Sequence, residues 1–245
     1  MLTRRSWTRR VVIAMASGVG TLWLLSAAAG ARLMPQLPAG VPGVERARVT
    51  QVAQDADVAT RVDATPFVAR LTVFEYLLDH PEFATHVTRT LRLARYRVWQ
   101  TPQGLYLDDG WGATGHFWVV YAESGTRLMR ARGAFNQTML PTIHGEAVTM
   151  IEYEATPAAD GKSVIRATVS GYVKLDSRLL ASVMKVASSA AQRKADLEAQ
   201  RLMRVFARAS HAIDDNPAGV YEQLKRRPEV PQHELEEFGR LLNVR

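Results

Sequence analysis

The stretch that decides the fold lies in the C-terminal half of the chain, where residues 162–175 read KSVIRATVSGYVKL. Apolar and polar residues alternate along it, and this period of two predicts a β-strand with one buried face. The buried face includes small residues at positions where a filled core would have bulky ones. It reads Ile165, Ala167, Val169, Gly171, Val173 and Leu175.

The same period continues upstream and predicts a sheet. Turn sequences rich in glycine and aspartate, such as Asp109-Gly110 and Ala159-Asp160-Gly161, separate the strands. Short links between consecutive strands require an antiparallel order. The predicted strands are Asp57–Asp63, Leu91–Gln100, Gly104–Asp109, Thr114–Glu123, Thr126–Asn136, His144–Thr156 and Lys162–Leu175.

Helices are predicted on both sides of the strand region. Thr65 and Pro66 are typical of a helix start, and a second short helix is expected at Glu82–Thr90. A long helix is predicted from Asp176 or Ser177 to about Ser210, with a break near Gln192–Asp196.

The tail, residues 212–245, contains two further helix starts at Pro217 and Pro231. Helices this short are marginal on their own, so we expect them to dock. We predict that they pack as a hairpin on the long helix or the sheet edge of the same chain, and docking on a partner protein is the alternative.

This order of elements is similar to that of the START-like, or SRPBCC, superfamily. Residues 73–83, VFEYLLDHPEF, resemble the first helix of that family and the bend that follows it. The resemblance covers about residues 57–211. It implies an α+β helix-grip fold, in which six or seven antiparallel strands wrap around a long C-terminal helix and a hydrophobic cavity. The superfamily includes polyketide cyclases and lipid-transfer proteins, so the fold alone does not choose a function.

The N-terminus has the pattern of an export signal. Four arginines precede the apolar run Val11–Leu25, and the small residues Ser26–Ala31 follow it. Residues 1–31 are therefore predicted to be a cleaved signal peptide or an uncleaved anchor. Either one would place the domain in the periplasm, free or attached to the inner membrane and facing outward. Residues 32–56, rich in proline and glycine at their start, are predicted to be a spacer.

Composition excludes several classes of function. The chain has no cysteine, which excludes disulfides, thiolate metal sites and cysteine nucleophiles. Four of its 31 basic residues lie in the N-terminal segment, which leaves 27 against 24 acidic residues elsewhere. That balance argues against a nucleic-acid surface.

Motifs of catalysis are sparse. No nucleotide-binding loop, metalloprotease motif or nucleophile elbow follows the N-terminal segment. His144 and Glu146 would share a strand face, and His116 is a third candidate acid–base residue. No metal site and no cofactor are predicted.

The leading hypothesis is non-catalytic binding of a hydrophobic small molecule, such as a lipid, with a membrane surface as a further contact. A cyclase or dehydratase using His116, His144, Glu146 or Tyr153 is the first alternative. An envelope scaffold that contacts a protein through the tail helices is the second. The predicted ligand-binding residues are Trp99, Phe117, Ile151, Tyr153, Ala167, Val169, Gly171, Met184 and Ala187.

Overall fold

The computed structural model describes residues 34–123, 125–137, 140–177 and 188–244. Its strands form one antiparallel sheet in the order β1-β8-β7-β6-β5-β4-β3, and β2 also pairs with β8. The strands are β1 Val58–Asp63, β2 Phe67–Ala69, β3 Arg97–Thr101, β4 Gly104–Asp108, β5 Ala113–Glu123, β6 Thr126–Gln137, β7 Leu140–Pro157 and β8 Ser163–Leu175.

Six α-helices accompany the sheet in the described residues. They are α1 Gly43–Gln54, α2 Leu71–Asp79, α3 Pro81–Thr90, α4 Ser188–Asp215, α5 Pro217–Lys225 and α6 Gln232–Leu242. A 3₁₀ turn at Ala159–Gly161 joins β7 to β8. The predicted class is confirmed: this is an α+β helix-grip fold with a long C-terminal helix and two short tail helices.

The inner face of the sheet packs against α2 and α4. Ile151, Ile165 and Val169 share one core with Phe74 of α2 and Met203 of α4. These strand residues have odd numbers, as the alternation in residues 162–175 predicts.

The outer face is partly covered by α1. Val49 and Val52 pack in a core with Leu128, Val148 and Tyr172, which point away from α4. Residues 32–56 were predicted to be a spacer, and for residues 43–54 that prediction is wrong. After Gly43 this segment has no proline or glycine, and its buried residues Val49, Val52 and Ala53 recur at helical spacing.

The two tail helices share a core with α2, α3 and α4. Phe238 of α6 lies 5.0 Å from Phe83 and 5.7 Å from Tyr76, measured between ring centres. Val220 and Leu224 of α5 are buried in the same cluster. Both helices begin at the predicted prolines, since Pro217 is the first residue of α5 and Pro231 caps α6.

Three predicted boundaries differ from the structure. Pro66 does not open a helix: Phe67–Ala69 pair with β8 as β2, because this short segment completes the sheet edge before α2 begins at Leu71. β3 begins at Arg97, not at residue 91, because Arg92 adopts a left-handed conformation (φ 56°) after α3 ends. α4 has no break near residues 192–196.

No helix in the described ranges has both the length and the apolar character needed to cross a bilayer. The predicted signal or anchor, residues 1–31, lies outside the described residues.

Candidate functional site

An apolar cavity of about 240 Å³ lies between the inner face of the sheet and helices α2, α3 and α4. Its size is close to the lower end of the range for small-molecule sites. Each of the four layers contributes aliphatic or aromatic side chains. The apolar lining includes Leu77, Leu78, Val98, Leu107, Phe117, Met129, Ile151, Leu202, Val205 and Phe206.

A second apolar compartment of about 260 Å³ adjoins the first along the inner face. Both compartments contact Leu107, Phe117, Ala131 and Ala147, which therefore lie at their junction. Ala131 and Ala147 are register partners on β6 and β7. Because these two neighbouring side chains are short, they leave unfilled space above this part of the sheet.

A row of glycines crosses the sheet beside this floor. Gly133 is the register partner of both Gly115 and Gly145. A Cβ atom on Gly115 would lie 2.5 Å from the carbonyl oxygen of Arg132, and one on Gly145 would lie 2.5 Å from that of Lys174. Neighbouring backbones thus approach too closely for any side chain, as happens where strands bend sharply. The glycine row allows the curvature that makes the inner face concave.

Few polar groups reach the cavity. The Thr85 hydroxyl donates to the carbonyl oxygen of Glu82 (2.8 Å) and accepts from the backbone N–H of Val98 (3.3 Å). The Thr88 hydroxyl donates to the carbonyl oxygen of Thr85 (3.3 Å). Tyr96 also lines the cavity, and burial raises the pKa of its phenol. This phenol is therefore a neutral hydrogen-bonding group at the cavity wall.

A polar cluster connects α2 to the inner face of the sheet. The Tyr153 hydroxyl donates to Oε1 of Glu75 (2.8 Å), and desolvation raises the pKa of that phenol. The guanidinium of Arg127 donates to both carboxylate oxygens of Asp79, at 2.5 Å and 3.0 Å. Arg127 also lies over the Tyr153 ring, 5.7 Å from its centre. In both pairs, Tyr153–Glu75 and Arg127–Asp79, the polar atoms are bonded to one another, so the cluster positions α2 on the sheet.

Most of the predicted ligand-binding residues do lie on the inner face. Phe117 and Ile151 line the cavity. Tyr153, Ala167 and Val169 lie in the core against α2 and α4. A Cβ atom on Gly171 would lie 3.0 Å from Cγ2 of Thr60. Met184 and Ala187 lie outside the described residues.

Trp99 is on the opposite face from the one predicted. On β3 it is Val98 that lines the cavity, so its neighbour Trp99 points outward. Trp99 is 38% exposed and packs on Tyr106, which in turn contacts His116. A one-residue difference in the assignment of this short strand reverses the direction of its side chains.

The candidate catalytic residues also lie on the outer face. His116 and Glu146 are both register partners of Arg132, which separates them. Nη1 of Arg132 lies 2.7 Å from Oε1 of Glu146. His144 shares this face with Glu146, as predicted, but the face is the one turned away from the cavity. Among the described residues, no cluster of three or more carboxylate or imidazole groups could hold a metal ion.

Many residues that line the cavity were not predicted from the sequence. The cavity-lining residues of α2 and α3, such as Leu77 and Ala84, could not be distinguished by sequence from the core residues of an ordinary amphipathic helix. Ala131 and Ala147 carried a usable signal, because each is a small residue at an inward position of a long strand. The glycines at 115, 133 and 145 gave the same kind of signal on three strands.

Comparisons with known proteins do not identify a function for this chain. No protein-family model and no curated protein matches this chain. Ara h 8.0201 is 12% identical with a TM-score of 0.35, over 64% of this chain and 99% of that one. A hypothetical protein from Helicobacter pylori is 10% identical with a TM-score of 0.35, over 62% of this chain and 86% of that one. A truncated norcoclaurine synthase from Thalictrum flavum is 11% identical with a TM-score of 0.33, over 61% of this chain and 91% of that one. At these values the function has to be argued from the cavity itself.

Proposed function

We propose that this protein binds or carries a hydrophobic small molecule, most simply a lipid, in the apolar cavity. The observation that supports this most directly is the pair of adjoining apolar compartments over Ala131 and Ala147. A structural core would fill such space, because interiors pack to the density of organic crystals. Polar groups at its wall are few, which suits a ligand with a long apolar part.

The cyclase or dehydratase alternative is less favoured by the geometry. It needs a polar pair that converges inside the cavity, and His116, His144 and Glu146 are on the outer face. Tyr153 faces inward, but its hydroxyl is bonded to Glu75.

The scaffold alternative is also less favoured. It needs an exposed apolar patch on the tail helices, whereas Leu235, Phe238 and Leu242 are buried in this chain's own core.

Export of the protein is part of the proposal. It relies on the arginine cluster and the apolar run in residues 1–31. Fusing residues 1–40 to a reporter that is active only outside the cytoplasm tests it. Reporter activity is expected, and its complete absence would contradict export.

Ligand binding is tested with delipidated protein and a neutral fluorescent probe such as N-phenylnaphthylamine. We expect saturable binding that Ala131→Phe weakens about tenfold or more, because the ring would occupy the junction of the compartments. The matched control is Val68→Phe at an exposed position of β2, which should bind normally. Absence of saturable binding in the unaltered protein, together with no co-purifying lipid in native mass spectrometry, would refute the proposal.

A further inference from the structure

A second concave site lies beside the cavity and is lined mainly by arginine. Its volume is about 770 Å³. It is formed where the end of α3, the segment leading into β3, the β4–β5 turn and α4 meet. We call it the arginine cleft, and define it by Arg89, Arg92, Arg95, Arg97, Arg201 and Trp111; one carboxylate, that of Asp108, also lines it.

Much of the positive charge of the arginine cleft is not neutralised. Nη2 of Arg97 lies 2.7 Å from Oδ2 of Asp108, and Nη1 of Arg201 lies 3.7 Å from Oε2 of Glu198. Within the described part of the chain, Arg89, Arg92 and Arg95 have no carboxylate at ion-pair distance. Three guanidinium groups that share one concave surface raise its electrostatic potential and attract an anion.

Trp111 holds two of these arginines in place. The guanidinium of Arg95 lies 5.3 Å from the centre of the indole, and that of Arg201 lies 5.7 Å from it. Trp111 is 52% exposed, although an indole is costly to leave in water. The indole offers an apolar face beside the guanidinium groups, and an amphipathic side chain of this kind suits a boundary between polar and apolar surroundings.

The arginine cleft and the cavity have a common wall. Tyr96 lines the cavity, whereas its neighbours Arg95 and Arg97 line the cleft. On α4, Arg201 lines the cleft and the next residue, Leu202, lines the cavity. The two sites share no lining residue among those that the structure describes, so a molecule with an apolar body and a charged end would reach both by passing the boundary at Tyr96 and Leu202.

We propose that the arginine cleft binds the anionic headgroup, a phosphate or a carboxylate, of an amphiphile whose apolar part occupies the cavity. This inference rests on the proposed function and adds the chemical class of the ligand. Guanidinium groups form paired, charge-assisted hydrogen bonds with both kinds of headgroup. The concave shape of the cleft favours a single bound headgroup over contact with a flat membrane surface.

The test compares three probes with the same apolar chain and different ends: dodecyl phosphate, dodecanol and dodecyltrimethylammonium. Affinities of the three probes are measured by displacement of the neutral probe from delipidated full-length protein, and the affinity of inorganic phosphate is measured by isothermal titration calorimetry. We expect dodecyl phosphate to bind about tenfold tighter than dodecanol, and this preference to shrink as salt rises. Dodecyltrimethylammonium should bind most weakly.

The diagnostic variant is Arg95→Gln combined with Arg201→Gln. It should reduce the affinity for dodecyl phosphate about tenfold and leave that for dodecanol within about twofold. Arg204→Gln combined with Arg208→Gln is the matched control, because both residues are exposed on α4 outside the cleft. If the double variant fails to fold, as judged by far-UV circular dichroism, Arg95→Gln alone replaces it.

Each other outcome overturns the inference in a recognisable way. Equal affinities for the three dodecyl probes would refute the headgroup role and leave the proposed function intact. Inorganic phosphate binding as tightly as dodecyl phosphate would reassign the cleft to a free anion. If the double variant lost only binding to anionic vesicles, the cleft would be a membrane contact. If no dodecyl probe bound, the proposed function itself would fail.

Discussion

Replacing Ala147 by leucine separates an open cavity from a filled core. Ala147 lies on β7 between its register partners Ala131 and Val173, and its side chain faces both compartments. The added atoms would enter existing space if the cavity is open. They would collide with packed neighbours if the space is occupied by side chains.

The two cases differ in the sign of the stability change. Leucine has three more carbon atoms than alanine, and burying each is worth about 0.8 kcal/mol. Ordering the leucine side chain costs about 0.5–1 kcal/mol. In an open cavity the free energy of unfolding should therefore rise by about 1–2 kcal/mol. In a filled core, overpacking would lower it by about 1–3 kcal/mol.

The measurement is chemical denaturation of delipidated protein, combined with titration of the neutral probe. Ala147→Leu should raise stability and weaken probe binding. Ala167→Leu is the control, because Ala167 is 5% exposed and belongs to the packed core, where the same change should destabilise. If Ala147→Leu destabilises the protein as much as Ala167→Leu and leaves binding unchanged, the cavity does not hold the ligand.

Three further predictions concern the parts that support the cavity. Phe238→Ala should lower the free energy of unfolding by about 3–5 kcal/mol, because Phe238 is fully buried. Leu241→Ala should lower it less, because Leu241 is only partly buried. Equal losses in urea denaturation would show that Phe238 does not anchor α6. Asp79→Asn should lower the free energy of unfolding by about 2 kcal/mol, because the side chain of Arg127 is only 7% exposed and loses its charged partner. The loss is smaller than for a fully buried pair because Asp79 is partly exposed. An unchanged thermal midpoint would refute this prediction. Burial lowers the pKa of His86, so below about pH 6.5 the unfolded chain binds the extra proton and stability falls as the pH decreases. His86→Leu should flatten this decline below about pH 6.5, and a pH–stability curve parallel to that of the unaltered protein would contradict it.

The sheet could be predicted from sequence because its signal is local. Alternation in residues 162–175 and glycine-containing turns fixed the long strands to within a few residues. Short strands contain too few alternations of apolar and polar residues for their type or inward face to be assigned. β2 has three residues and β3 has five, so a helix start at Pro66 and an inward Trp99 were both compatible with the sequence.

The cavity could be predicted only in part because it depends on pairing between distant strands. The small residues Ala167 and Gly171 were visible on one strand, yet they pack against α2, α4 and Thr60. The space itself lies over Ala131 and Ala147, which become neighbours only through the register of β6 and β7. The arginine cleft was missed for the same reason, since its members come from four separate segments.

The distribution of polar groups links the cavity to binding more than to catalysis. A catalytic pair would have to be held in the space that the ligand enters, with at least one group free to exchange a proton. The cavity wall instead offers Thr85 and Thr88, whose hydroxyls are bonded to backbone groups, and the phenol of Tyr96, whose pKa is raised by burial. Tyr153 is bonded to Glu75. The arginine cleft adds charged groups beside the cavity, and guanidinium groups stay protonated at any pH at which the protein folds. Groups of that kind hold an anion in place and transfer no proton.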